Sequence, residues 1–342
     1  MKIRPFVFAA AAVVASTSCS DLPSGDLKSP YTWGNHFLEK YEDELVIGEL
    51  EPGPGPLAEP RVVLLITGVT IPKEWFEPME ARLIRDGFIP IVYEPPELLS
   101  GDLFQNSEWL GDVVQEIRAE TGHDKIDILA ECTGGLIARH YIQSLGGDQY
   151  VNRMITFISP QHGLPKAPMA ADFAGWPALY DLSPGSDFLE AVNNAPLPEN
   201  VPITSIYTCT DEYIQPYETS IIPGAKNIGL CDEFVGHFQF FYDPEIYLVM
   251  HAELVAPLPG EAPDAPDSPD QPDSPDSPDQ LEADSLDGDA DASEVGEASD
   301  AGTGGCSTSG SSTGGAGMLV MVGAMAVFVR RRRSAVSAKL SF

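Results

Sequence analysis

Basic residues are scarce in this sequence. Of its 342 residues, 19 are lysine or arginine and 52 are aspartate or glutamate, so the formal net charge is −33 at pH 7. Between Asp26 and Val255 alone there are 36 acidic and 12 basic residues, a net charge near −24. Such a surface repels nucleic-acid phosphates and anionic lipid head groups. We therefore expect no nucleic-acid partner.

Cysteine and histidine are also few, with five and six residues. No group of them has the sequence spacing of a zinc site, and no glycine-rich loop has the form that cradles phosphates. The sequence pattern therefore predicts neither a metal site nor a cofactor.

Long hydrophobic runs are limited to one near the C-terminus. Residues 314–329 form an apolar run of 16 residues, closed by the four arginines 330–333. A membrane-spanning helix needs roughly 20 residues, with a lower range near 17. With Cys306 before it, segment 304–333 resembles myxobacterial C-terminal sorting signals, which implies processing near Cys306 and display at the cell surface. The alternative is a plain membrane anchor, and either would leave 334–342 as a short cytoplasmic tail.

The N-terminus has the pattern of an export signal. Lys2 and Arg4 precede a short apolar stretch, and small residues lead to Cys19. We interpret residues 1–19 as a signal peptide, with either lipidation of Cys19 or plain cleavage nearby. Export would place the protein in an oxidising compartment, held at the cell surface or outer membrane or released from it.

Residues 256–303 form a low-complexity linker. Pro-Asp-Ser and Pro-Asp-Gln units recur there, and 261–300 contains 15 acidic residues and no basic ones. Proline and like-charge repulsion keep such a segment extended, so it cannot build a core.

Residues 29–255 alternate apolar runs with helical patterns, which predicts an α/β domain with a doubly wound, mostly parallel sheet. The predicted strands are 61–67, 89–93, 126–130, 154–159 and 203–207. The predicted helices are 75–86, 107–121, 134–145 and 187–193, the last with Ser186 as its N-cap.

The most informative motif surrounds Cys132. An apolar strand, a corner of small residues and a helix follow each other in 127–139, the pattern of a nucleophile elbow. Cys132 stands where the usual G-x-S-x-G motif has serine. Asp211 follows a later strand and His237 comes after it, so the order is nucleophile, acid, histidine. Glu212 is the alternative acid, and His162 is interpreted as a pocket-wall residue.

Four stretches resemble the bacterial secreted lipases of the α/β-hydrolase superfamily: 127–139, 181–193, 202–216 and 236–247. The resemblance implies an α/β-hydrolase fold and a catalytic triad of Cys132, His237 and Asp211. Three positions depart from the family pattern: Cys132 replaces serine, Glu131 replaces the preceding histidine, and Thr67-Gly68 replaces His-Gly at the oxyanion loop.

Backbone N–H groups form the oxyanion hole in this superfamily, and we assign them to Thr133 and Val69. A free thiol has a pKa of about 8.5. The helix after Cys132 and a protonated His237 should lower that pKa, whereas Glu131 should raise it if it points the same way. The dienelactone hydrolases of the same superfamily use cysteine at this elbow, so a working thiol is plausible there.

Cys209 and Cys231 are predicted to form a disulfide, with two free thiols as the alternative. The overall prediction is an exported hydrolase that cleaves carboxylic esters, with an ester or lipid substrate. It would contact the membrane through its C-terminal segment, and through an N-terminal lipid if Cys19 is lipidated. The alternative is a weak or inactive surface protein that keeps the fold for binding. The sequence does not indicate an oligomeric state.

Overall fold

The computed structural model describes residues 22–260. Four predicted segments lie outside the described residues: the signal peptide 1–19 with Cys19, the linker beyond residue 260, the sorting segment 304–333 with Cys306, and the tail 334–342.

A single sheet of six strands, all parallel, forms the centre of the domain. Its strand order is β2-β1-β3-β4-β5-β6. This confirms the predicted doubly wound parallel sheet, with helices on both faces. The strands are β1 Arg61–Ile66, β2 Phe88–Tyr93, β3 Ile126–Glu131, β4 Val151–Phe157, β5 Ile203–Thr208 and β6 Lys226–Leu230.

The predicted strands correspond to β1 to β5, whereas β6 was not predicted. Strand β6 lies at the sheet edge, pairs only with β5 among the described strands, and is partly exposed. An edge strand does not need the continuous Val/Ile/Leu composition of a strand that is buried on both faces. Its sequence therefore lacks the signal that identified the other five.

Eight α-helices surround the sheet in the described residues: α1 Pro30–Leu45, α2 Glu77–Arg85, α3 Leu103–Thr121, α4 Thr133–Ser144, α5 Ala167–Ala174, α6 Pro177–Asp181, α7 Asp187–Asn194 and α8 Pro244–Val255. Helices α2, α3, α4 and α7 match the predicted ones, and Ser186 caps α7 by accepting a hydrogen bond from the Leu189 amide. Helix α3 begins four residues earlier than predicted, where Asp102 accepts the Gln105 amide.

Alternate residues of β1 enter two separate hydrophobic clusters. Val62, Leu64 and Ile66 join the cluster that contains α3 and α4. Val63 and Leu65 join the cluster that contains α1, α2 and α8. Because successive side chains of a strand point to opposite faces, the sheet is covered on both sides. The site residues described below come from loops at its carboxyl edge.

Among residues 22–260, no helix is both long and apolar enough to span a bilayer.

Candidate active site

Cys132 occupies the sharp corner between β3 and α4. Its backbone has φ 47° and ψ −121°, a conformation that residues with a side chain rarely adopt. The Cys132 amide donates to the Phe157 carbonyl of β4, and the Ser159 hydroxyl donates to the Cys132 carbonyl. These bonds hold the corner in its strained conformation, as a nucleophile elbow requires.

Two glycines allow the helix after the corner to approach the sheet closely. A Cβ at Gly134 would lie 2.8 Å from the Thr67 carbonyl oxygen, and a Cβ at Gly135 would overlap the Thr156 hydroxyl. Helix α4 therefore packs against the ends of β1 and β4 at a distance that excludes larger residues. This contact fixes the direction in which Cys132 points.

The structure brings Cys132, His237 and Asp211 together. His237 Nδ1 lies 2.8 Å from Asp211 Oδ2, and both side chains are almost completely buried. The other oxygen of Asp211 accepts the backbone amides of Tyr213 and Ile214, each at 2.7 Å. Within the described part of the chain, Cys132 is the free cysteine, and its sulfur lies within 4.8 Å of a ring nitrogen of His237.

Glu131 lies in the same site and points toward the histidine. Its side chain is fully buried, and Oε1 lies 3.5 Å from His237 Nε2. Its other oxygen, Oε2, accepts the Gly68 amide at 2.6 Å. Glu131 is an unusual residue before the nucleophile, but its contact with His237 depends on side-chain conformation. No sequence pattern could reveal that contact.

Glu212, the alternative acid, has a different role. Its Oε2 accepts the backbone amide of His237 at 2.9 Å, whereas Nδ1 of the His237 ring is bonded to Asp211. Tyr213 packs its ring against His237, with 5.1 Å between the ring centroids. Three consecutive residues after β5 therefore hold His237 by its backbone amide, its ring nitrogen and its ring face.

The four ionisable groups of the site, Cys132, Glu131, His237 and Asp211, shift one another's pKa values. Burial and the Glu131 carboxylate raise the pKa of the Cys132 thiol and outweigh its hydrogen bond with His237. Burial likewise raises the pKa of Glu131. Burial alone disfavours the charged ring of His237, but the charge and hydrogen bond of Asp211, with contributions from Cys132 and Glu131 beside the ring, raise its pKa well above the usual value. Burial also opposes ionisation of Asp211, yet His237 and the two amides lower its pKa.

Both expected influences on the Cys132 thiol are present, since the histidine lowers its pKa and Glu131 raises it, and the net direction is upward. Glu131 does point the same way, and desolvation adds to its effect.

Of the two residues assigned to the oxyanion hole, Thr133 lies beside the thiol. Thr133 is the first residue of α4, and its hydroxyl lies 3.7 Å from Cys132 Sγ. Val69 belongs to the loop after β1, where the amides on either side of it are fixed. Gly68 donates to Glu131 Oε2 and Thr70 donates to the Leu98 carbonyl. The Thr133 and Val69 assignment remains a prediction.

The predicted disulfide is present between Cys209 and Cys231. It joins the end of β5 to the residue after β6 and closes a loop with a sequence separation of 22. Asp211 lies inside this loop and His237 lies shortly after it. Thr210 strengthens the same connection, because its hydroxyl donates to the Val235 carbonyl at 2.9 Å.

A buried polar network behind the elbow was not predicted. Arg139 of α4 donates to Gln161 and to Asn193 of α7, and Gln161 donates to the Ser159 hydroxyl that contacts Cys132. Single polar residues scattered among apolar ones carry no spacing signal, so this network appears only in the fold.

His162, by contrast, is exposed, and its Nε2 lies 3.0 Å from the Ile221 carbonyl oxygen. A separate cavity of about 390 Å³ lies at the opposite edge of the sheet, near the starts of β4, β5 and β6. It contains none of the site residues, and we assign it no role.

No protein-family description matches the chain. A curated relative, lipase B of Pseudozyma antarctica, is 28% identical over 192 residues, which cover 52% of this chain and 55% of that protein. The chain therefore spans about half the length of the curated relative that it matches.

Solved structures resemble the fold. Lipase B of Aspergillus fumigatus superposes with a TM-score of 0.51 at 19% identity, covering 61% of this chain and 56% of that chain. Mature lipase BlEst2 of Bacillus licheniformis gives a TM-score of 0.47 at 18% identity, covering 60% and 96%. The fold is that of the α/β hydrolases.

Proposed function

We propose that the domain formed by residues 29–255 hydrolyses carboxylic esters of lipid type, with Cys132 as nucleophile. The observation that carries this proposal is the alignment of Asp211, His237 and Cys132 at the carboxyl edge of the sheet. The order of these groups matches the general requirement for an activated nucleophile: a base beside it and an acid that orients the base.

In the proposed reaction the Cys132 proton moves to His237, and the sulfur attacks the ester carbonyl carbon. The backbone amides of Thr133 and Val69 stabilise the oxyanion that forms. The C–O bond to the alcohol then breaks, His237 donates its proton to the departing oxygen, and an acyl thioester remains on Cys132. Water, deprotonated by His237, hydrolyses the thioester and releases the acid. Asp211 orients the ring throughout.

The test is hydrolysis of short-chain and long-chain p-nitrophenyl esters by the purified protein. We expect activity in the wild type and its loss in Cys132→Ala and in His237→Ala, because each removes a group that exchanges the proton. The control is His123→Ala, a histidine near Pro60 at the amino ends of β1 and β3, which should leave activity within a few-fold of wild type. An active wild type that His237→Ala does not change would contradict the triad.

The second candidate is a binding protein that keeps the fold without the activity. The buried Glu131 beside His237 favours it, because its carboxylate raises the pKa of the thiol. The same experiment separates the two functions. If wild type and Cys132→Ala are equally inactive while Cys132→Ser gains activity, the thiol hydrolase is excluded.

We also propose that the protein is exported and held at the cell surface, with cleavage or lipidation at Cys19 and processing near Cys306. Mass spectrometry of the mature surface form tests both positions. A mature chain that begins at Met1 and retains residues after Arg333 would contradict this proposal.

A further inference from the structure

Three different donor atoms converge at the elbow. A carboxylate oxygen of Glu131, the sulfur of Cys132 and a ring nitrogen of His237 all lie within 4.8 Å of one another. Sulfur, imidazole nitrogen and carboxylate oxygen are the ligands that zinc takes in proteins. Glu131 and Cys132 are adjacent in sequence and His237 is far from both, so the sequence spacing gives no sign that the three donors meet.

Only one oxygen of the Glu131 carboxylate has a hydrogen-bond partner among the described residues. Its Oε2 accepts the Gly68 amide, but Oε1 has no hydrogen-bond partner within the described residues and is fully buried. The nearest opposite charge is His237 Nε2, 3.5 Å away, which is beyond a good hydrogen bond. Leaving a buried carboxylate oxygen without a partner is costly, and a cation bound between these groups would remove that cost.

Groups behind the three donors hold them as the outer partners of metal ligands do. Asp211 accepts the Nδ1 proton of His237 at 2.8 Å, so Nε2, once it has lost its proton, presents its lone pair toward Glu131 and Cys132. The Gly68 amide fixes the carboxylate of Glu131 at 2.6 Å. The strained backbone corner fixes Cys132. A thiolate and a carboxylate together carry two negative charges, which match a divalent cation.

We propose that Glu131, Cys132 and His237 bind one zinc-class divalent ion through Oε1, Sγ and Nε2. Cys132 is only partly buried as a residue, and a water would complete the four-coordinate site. Binding releases the thiol proton, the Nε2 proton of the charged His237 ring and any proton on Glu131 to solvent. The thiolate donor favours Zn²⁺ or Co²⁺ over Mg²⁺ or Ca²⁺, which prefer all-oxygen sites.

This inference rests on the site of the proposed hydrolase and adds a regulation to it. A sulfur bound to the metal cannot attack a carbonyl carbon, so the metal-bound form is inactive in the thiol reaction. Zinc would therefore inhibit the enzyme reversibly, and a chelator would restore it.

Co²⁺ titration of the purified full chain tests the site, because a thiolate bound to Co²⁺ gives a charge-transfer absorption that oxygen ligands do not give. We expect saturation at one ion per chain and displacement by Zn²⁺. Cys132→Ser should remove the charge-transfer band. Glu131→Gln should weaken binding by roughly tenfold or more. The matched control is Glu190→Gln, an exposed carboxylate on α7 that should leave binding unchanged.

A measurement on the wild type keeps the test independent of how the variants fold. Zn²⁺ should protect Cys132 from alkylation by iodoacetamide, read at the Cys132 peptide by mass spectrometry. Absence of the charge-transfer band, a band that persists unchanged in Cys132→Ser, or alkylation unaffected by saturating Zn²⁺ would each overturn the metal site.

Failure of the metal site and failure of the proposed hydrolase give different results. Ester hydrolysis that continues at full rate in saturating Zn²⁺ overturns the metal site and leaves the hydrolase intact. Co²⁺ binding with the expected variant pattern in a protein that hydrolyses no ester supports the metal site and removes the hydrolase.

Discussion

Asp211 and Glu212 are adjacent carboxylates that contact the same histidine in different ways. Asp211 bonds Nδ1 of the ring, and Glu212 accepts the backbone amide of His237. Only the first of these contacts can fix the tautomer and stabilise the charged imidazole. The order of residues in the sequence indicated Asp211 but left Glu212 open, because both follow the same strand.

At this residue scale we predict different losses for the two carboxylates. Asp211→Asn should lower kcat for ester hydrolysis on the order of a thousandfold or more, because an amide cannot orient and stabilise the imidazolium. Glu212→Gln should cost far less, since an amide oxygen still accepts the His237 backbone N–H. Steady-state kinetics on the same ester compares them. Equal losses would indicate that Glu212 shares the role of the acid.

At the scale of elements, the contact between α4 and the sheet depends on two glycines. Gly135→Ala places a methyl group against the hydroxyls of Thr156 and Ser159, and Ser159 itself holds the Cys132 carbonyl. We expect a loss of about 1 to 3 kcal/mol in the free energy of unfolding, measured by urea denaturation. Gly48→Ala is the control, because its Cβ would meet nothing within 4 Å. Similar stability for both variants would contradict the close packing.

The disulfide also connects two elements, because it joins the ends of β5 and β6. Replacing Cys209 and Cys231 together by serine should lower the free energy of unfolding by roughly 3 kcal/mol in the chain-entropy model. Thermal or urea unfolding measures the loss. A larger fractional loss of esterase activity than of folded protein would show that the loop also positions Asp211 and His237. An unchanged stability would exclude a structural role for the bond.

Burial determines which elements could be predicted from the sequence. Strands β1 and β3 are buried on both faces, and apolar residues dominate their sequences. Helix α1 was missed although Trp33, Phe37, Tyr41 and Leu45 recur every four residues along it. Helices α5 and α6 are short and each has a proline in its first turn, so a periodicity could not develop.

Part of the candidate site could likewise be predicted from the sequence, and part of it could not. Backbone topology places Cys132, Asp211 and His237 at one edge of the sheet, and topology can be inferred from the alternation of strands and helices. The contacts of Glu131 and the Arg139 network depend on side-chain conformations and on residues from separate elements. Sequence patterns carry no information about those contacts.

At the scale of the whole molecule, Asp86 connects the end of α2 to the last helix. Its buried carboxylate accepts hydrogen bonds from Arg85 at 2.7 and 2.8 Å and from the Tyr247 hydroxyl of α8 at 2.6 Å. Burial opposes its ionisation, but these partners outweigh burial and lower its pKa. The native state therefore binds the carboxylate proton less readily than the unfolded chain.

This shift predicts how stability depends on pH. The contribution of Asp86 is fully present above the unfolded-state pKa of about 3.9 and is lost as the pH falls through the lower native value. Asp86→Asn should cost about 1 to 3 kcal/mol at neutral pH, because Arg85 and the Tyr247 hydroxyl lose a charged acceptor while Arg85 keeps Glu51. It should also flatten the fall in stability below about pH 4. Urea denaturation across pH measures both effects, with the exposed Asp172→Asn as control. If the stability of Asp86→Asn falls with pH in parallel with that of the wild type, the assignment is contradicted.

Helix α8 ends against the amino ends of the strands. Arg61, the first residue of β1, donates to the Leu254 carbonyl, and Arg153 near the start of β4 donates to those of Glu253 and Ala256. Cys132 lies at the carboxyl ends of the same sheet. At residue 256 the chain therefore leaves the described domain at the pole opposite the thiol.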